Sequence, residues 1–129
     1  MKIYIVVFLL MILGHLIADY CLQGWLAQAK QKSWWKKNAP DEKYKYDWIP
    51  ALICHSIMWA IIVYLPVIYF WGDTLRWWQY IHLISLAGWH GIIDDLKANK
   101  MKINLWQDQL LHLVQIILAY AGSIPIFTN

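Results

Sequence analysis

Four stretches of the chain are long and apolar, and each is interrupted by ionisable side chains. They run from about Ile3 to Leu26, Trp48 to Trp71, Leu75 to Leu96 and Ile103 to Phe127. A bilayer core about 30 Å thick is crossed by roughly 20 mostly apolar residues in helical form. Strands are disfavoured, because the apolar runs are long and do not alternate. With 60% hydrophobic and 15% charged residues, a chain of 129 residues has too few polar groups to coat a water-soluble domain. Ten Trp and eight Tyr suit a membrane–water boundary. These features exclude a disordered tail, a disulfide scaffold and any sizeable soluble domain. The expected fold is all-α, a single domain over residues 1–129 built as a bundle of four transmembrane helices. Cys21 and Cys54 lie in apolar stretches and read as small hydrophobes rather than a disulfide framework.

The basic residues orient the bundle. Segment 28–47 carries Lys30, Lys32, Lys36, Lys37, Lys43 and Lys45, and the link after the third stretch adds Lys97, Lys100 and Lys102. Only Lys2 and Arg76 lie on the other side, so the positive-inside rule puts both termini outside and these two loops in the cytoplasm. Segment 28–47 mixes its lysines with Trp and Tyr, as in a stretch lying along lipid headgroups. Membrane lipids are the expected partners, and nothing in the chain suggests nucleic acid. The first stretch follows Lys2 as a leader would, but Leu16 occupies the position where a cleavage site before Asp19 would need a small residue. It is read as a mature helix.

Ionisable groups inside a span cost roughly 2.5–3.5 kcal/mol each on the insertion scale, so each needs a reason. The first stretch has His15 and Asp19, with Gln23 beyond; the second has His55. The third has His82, His90, Asp94 and Asp95, and the fourth has Asp108 and His112 with Gln109 and Gln115. His15–Asp19, His90–Asp94 and Asp108–His112 are each four residues apart, which stacks both members on one helical face. Given the orientation, all seven of these groups with His55 fall in the cytoplasmic half, while His82 sits toward the outer half. Three explanations compete: a metal site, a metal-free network that fixes packing, and a proton or ion pathway. The ligand chemistry and the number of groups favour the metal site, with His15, Asp19, His55, His90, Asp94, Asp108 and His112 as candidate ligands of one or two divalent ions. Zinc leads, with manganese or iron as alternatives.

Other residues have simpler readings. Gly88 and Gly91 suit close helix approach, and Pro66 and Pro125 suit kinks. Trp71, Trp77 and Trp78 suit an outer aromatic belt, and Trp25, Trp34, Trp35, Trp48 and Trp106 an inner one. His82 reads as a packed or interface-facing residue.

The motifs GHLIADYCLQGW, a middle His55, HGIIDDLKANK and LWQDQLLHLVQI together resemble a family of small bacterial and phage membrane proteins of unknown function. The family pattern falls here on His15, Ala18, Asp19 and Gln23; His55; His90 and Asp94; and Asp108, Gln109 and His112. The likeness covers essentially the whole chain. The pattern is similar, more distantly, to the membrane-bound metal-dependent hydrolases. These resemblances imply a bacterial inner-membrane location, with a phage or mobile-element origin, and metal-assisted hydrolysis.

The functional expectation is therefore a metal-dependent hydrolase at the cytoplasmic leaflet, acting on a lipid headgroup or another amphipathic ester. Asp19 or Asp95 would serve as general base and His55 as ligand or proton shuttle. The alternative is a non-enzymatic membrane protein: a homo-oligomeric ion or proton pathway, or an interaction protein at host membranes. A polar stripe from side to side would mark the pathway, and a cluster confined to one leaflet would mark a pocket.

Overall fold

The computed structural model describes residues 2–124, except the side chain of Trp78. Pro125, Phe127 and the belt position of Trp78 lie outside what is described.

Among the described residues all regular structure is helical. The first helix, α1 (Lys2–Leu16), runs into a π-helical turn at Ile17–Cys21. The chain then breaks at Gly24, whose φ of 48° is a left-handed conformation that glycine adopts at little cost. Two short helices follow, α2 (Leu26–Ala29) and α3 (Lys32–Asn38), in the segment expected to lie on the membrane surface. Helix α4 spans Trp48–Trp71 with Pro66 inside it, and at about 1.5 Å per residue its 24 residues reach about 36 Å. Helix α5 (Ile81–Ala98) begins six residues later than Leu75, because residues Gly72–Thr74 and Trp77–Tyr80 form two 3-10 turns instead. Helix α6 (Leu105–Ser123) starts at a capping box: Asn104 accepts from the Gln107 backbone N–H, and the Gln107 side chain accepts from that of Asn104.

Helix α4 is the hub. It packs on α1 on one side and α5 on the other, and α6 leans on α5 and reaches back to α1. Small residues set the spacing at two crossings. A Cβ on Gly14 would lie 3.0 Å from the Ile62 carbonyl oxygen, so α1 and α4 touch backbone to backbone there. A Cβ on Gly91 would lie 2.9 Å from Ser56 Oγ, which fixes the α4–α5 approach. Gly88 faces open space and plays no such part.

The buried core contains Val7, Met11, Trp59, Val63, Tyr64, Val67 and Ile116. Trp71 belongs to this core rather than to an outer belt: it is 6% exposed, packed by Tyr4 and Tyr120 with ring centroids 5.5 and 6.0 Å away. Trp25, Trp77 and Trp106 do face outward. So do large aliphatic residues on every long helix, among them Leu9, Leu13, Ile57, Ile61, Ile84, Ile92, Leu110 and Leu118. Two stretches, Lys2–Cys21 and Glu42–Thr74, are long and apolar enough to cross a membrane. Helices α5 and α6 are more polar, because they carry most of the buried ionisable groups.

Candidate metal centre

At the end of the bundle that bears the lysine-rich connections, six of the seven selected groups converge. Asp19 comes from the π turn, His55 from the second turn of α4, and His90 and Asp94 from successive turns of α5. One ligand atom from each of these four lies within 4.8 Å of all the others. Asp94, Asp108 and His112 form a second such group, so Asp94 belongs to both.

The distances allow a direct test of fit. Two nitrogen ligands of a tetrahedral zinc, each about 2.05 Å from the ion, lie about 3.3 Å apart. His55 Nε2 is 3.0 Å from His90 Nε2, 3.2 Å from Asp94 Oδ2 and 3.6 Å from Asp19 Oδ1, and His90 Nε2 is 3.6 Å from Asp94 Oδ2. In the second group His112 Nε2 is 3.5 Å from Asp108 Oδ1, 3.7 Å from Asp94 Oδ1 and 4.0 Å from Asp19 Oδ2. Asp94 thus turns one oxygen to each group, as a bridging carboxylate does.

The proton arrangement points the same way. His112 Nδ1 faces Gln115 Oε1 at 3.2 Å, so Nδ1 carries the proton and Nε2 keeps its lone pair. That lone pair is surrounded by three carboxylate oxygens, and neither His112 Nε2 nor Asp108 Oδ1 has a hydrogen-bond partner. Acceptors gathered around an acceptor in a buried site call for a cation between them.

The seventh selected residue, His15, stays outside both groups. Trp59 Nε1 donates to its Nδ1 at 3.0 Å, and its Nε2 donates to Gln109 Oε1 at 3.1 Å. Both ring nitrogens are therefore engaged. Gln109 in turn donates to Asp108 Oδ2 at 3.0 Å and Asp19 Oδ2 at 3.4 Å, so His15 orients two carboxylates through one amide. The Trp59 ring stacks on His90, 4.1 Å between centroids and 12° from parallel, and fixes that imidazole from the side. Asp19 lies in the π turn, accepts from Gln23 Nε2 at 2.6 Å and faces His55 at 3.6 Å, and Gln109 links it to His15.

Asp95 is not brought into the cluster. It accepts from Lys100 at 2.7 Å and Asn99 at 3.0 Å, at the end of an apolar α4–α5 groove. Of the two expected bases, only Asp19 is beside the ligands. His82 is half-buried against α6, where a Cβ on Gly122 would collide with its ring.

Lys30 and Lys97, which the sequence presents among the loop lysines able to attract a phosphate, border the cluster. Lys30 is buried, and its ammonium donates to Asp94 Oδ2 at 2.5 Å. Lys97 donates to Asp108 Oδ2 at 2.7 Å. Lys30 is held inward by Asn99, which donates to the Lys30 carbonyl at 3.1 Å and accepts from the Lys32 backbone N–H at 2.8 Å. Asp19, Asp94, Lys30 and Lys97, with Gln23 and Gln109, line a cavity of about 470 Å³ next to the cluster.

A family model matches residues 7–129, which include every residue of the cluster. The chain belongs to the DUF3307 family, proteins of unknown function. No curated protein and no solved structure matches it. In this DUF3307 member, then, the groups that could hold a metal ion come from all four long helices.

Proposed function

We propose that the chain is a four-span protein of the bacterial inner membrane, and that its cluster holds one or two divalent transition-metal ions, zinc foremost. On this reading it hydrolyses an amphipathic ester or a lipid headgroup at the cytoplasmic face. The observation that carries the proposal is the sharing of Asp94 between two ligand groups around the unpaired Nε2 of His112. The apolar outward faces of α5 and α6 support the four-span reading, and the nine-to-two asymmetry of Lys and Arg supports the orientation.

A divalent ion in such a site lowers the pKa of a coordinated water toward about 7. The residues do the rest. His55, His90 and Asp94 would hold one ion, with Asp19 beside them as base rather than fourth ligand so that a position stays open for water, and Asp94, Asp108 and His112 would hold a second. Asp19 borders the cavity and is placed to take the proton of an entering water. The water oxygen bonds to the carbonyl carbon or phosphorus of the ester, the bond to the leaving oxygen breaks, and the proton passes to that oxygen. His15, Trp59 and Gln109 position the ligands.

Elemental analysis of detergent-purified protein tests this. One or two equivalents of metal are expected, falling below half an equivalent in D94N with helicity retained. Absence of metal even after incubation with zinc, manganese or iron(II) would overturn the proposal. A metal-free network is the second reading, favoured by the Lys30–Asp94 and Lys97–Asp108 pairs, which already neutralise two carboxylates. It predicts that D94N unfolds the protein and that added metal changes nothing.

A further inference from the structure

The cavity beside the cluster has an unusual wall. Two ammonium groups, Lys30 and Lys97, project into it from different elements, with the side-chain amides of Gln23, Gln31 and Gln109 around them. Lys30 in particular is 7% exposed, which a lysine reaches only when something inside holds its charge. In the structure that partner is Asp94, the carboxylate shared by both ligand groups. Lys97, more than a third exposed, donates to Asp108.

Charge balance then decides what the cavity takes. With neutral imidazoles, three carboxylates (Asp19, Asp94, Asp108) against two ammonium groups leave one net negative charge. One divalent ion reverses that to one net positive charge, and two ions raise it to three. An excess of positive charge in a buried site demands an anion. Each ammonium group carries three hydrogens and gives one to its carboxylate, Lys30 to Asp94 and Lys97 to Asp108, so hydrogens remain for a further acceptor.

Resting on the metal-centre reading above, we infer that the cavity is a phosphoryl site: Lys30 and Lys97 hold the oxygens of a phosphate ester, with Gln23 and Gln109 as neutral donors. The phosphate substrate class follows from this charge and from the donors. A neutral carboxylic ester would make no use of the two ammonium groups, whose partners in the structure are Asp94 and Asp108. A dianionic phosphate monoester matches the two-ion site best, and its source is either a phospholipid headgroup or a soluble phosphate ester.

The test uses full-length protein in detergent, with metal content measured in every sample. Calorimetry with inorganic phosphate and with glycerol phosphate reads the soluble arm; flotation with phosphatidic-acid vesicles, against diacylglycerol in the same neutral carrier lipid, reads the lipid arm. Phosphate is expected to bind the metal-loaded protein, and K30Q and K97Q to bind it ten- to a hundredfold more weakly while keeping their metal. K32Q, which alters an exposed lysine outside the cavity, should bind as the parent does. Preference for vesicles over both soluble anions identifies the lipid source, and the reverse the soluble one. Metal bound but no phosphate captured from either source overturns this inference alone, as does unchanged binding in both K30Q and K97Q. Absence of metal overturns the metal centre, and this inference with it. If K30Q also loses metal, K30R, which keeps the charge, must restore metal and phosphate together; recovery of metal without phosphate overturns the inference.

Discussion

At the end of the bundle away from the lysines, Tyr64, Gln79 and Ser123 form a second buried polar group. Tyr64 Oη donates to the Gln79 carbonyl at 3.0 Å and lies 2.7 Å from Ser123 Oγ. Ser123 Oγ donates to the Ala119 carbonyl at 2.6 Å, and Gln79 Oε1 accepts from the Arg76 backbone N–H at 2.8 Å. All of these groups are neutral, and the network closes on itself. The lysine-end cluster is charged, draws on all four long helices, and leaves His90 Nδ1, Asp108 Oδ1 and His112 Nε2 without hydrogen-bond partners. Apolar Val63, Leu86 and Ile116 separate the two sets along α4, α5 and α6. A polar group kept for stability saturates its donors and acceptors, because each unmet one costs about 1–3 kcal/mol. A group that leaves them unmet is arranged for something else.

The contrast breaks first at His112. H112L removes the unpartnered Nε2 together with the Nδ1–Gln115 hydrogen bond, so the metal-free protein should lose no more than about 1 kcal/mol, while metal affinity falls at least a hundredfold. Thermal unfolding in detergent with and without zinc measures both. A clearly larger loss of metal-free stability would show that the cluster is a closed network after all.

A smaller effect sharpens the comparison at His15, whose nitrogens are both satisfied. H15F should keep the stoichiometry but weaken metal binding about ten- to a hundredfold, the usual range for a residue that orients ligands. Competition with a chromogenic chelator reads that change, and complete loss of metal would place His15 among the ligands.

The smallest effect belongs to the saturated end. Y64F should lower stability by about 1 kcal/mol, seen in the same unfolding experiment, with metal content unaltered. A fall in metal content there would mean the two regions are coupled through the apolar layer.

Much of the site is legible in the sequence, and what is missed has physical causes. Spacing of four residues finds His90–Asp94 and Asp108–His112, whose atoms approach to 3.6 and 3.5 Å. The same helical period separates Asp94 from Asp95, since adjacent residues point about 100° apart, and the structure turns Asp95 to Lys100. His15 and Asp19, the third such pair, both reach Gln109, but only Asp19, in a π turn that no residue in Ile17–Cys21 announces, joins a ligand group. Lys30 is one of six similar lysines in its segment, and Asp94 and Asn99, 64 and 69 positions away, draw it inward. The four apolar stretches correspond to four long helices, but the start of α5 slips because Leu75–Tyr80 is apolar without being continuous helix.

The bridging position of Asp94 bears on the order in which the molecule is made. Its partners are Lys30 and His55, already synthesised when it emerges, and His112, which is not. A nascent chain that ends before α6 therefore holds Asp19 and Asp94 close together with only one of the two lysine pairs formed. Synthesis of the last helix supplies the second pair, the last imidazole and the Gln109 amide in a single step. A chain truncated before α6 would lack all three at once and would keep Lys97 without the carboxylate that pairs with it.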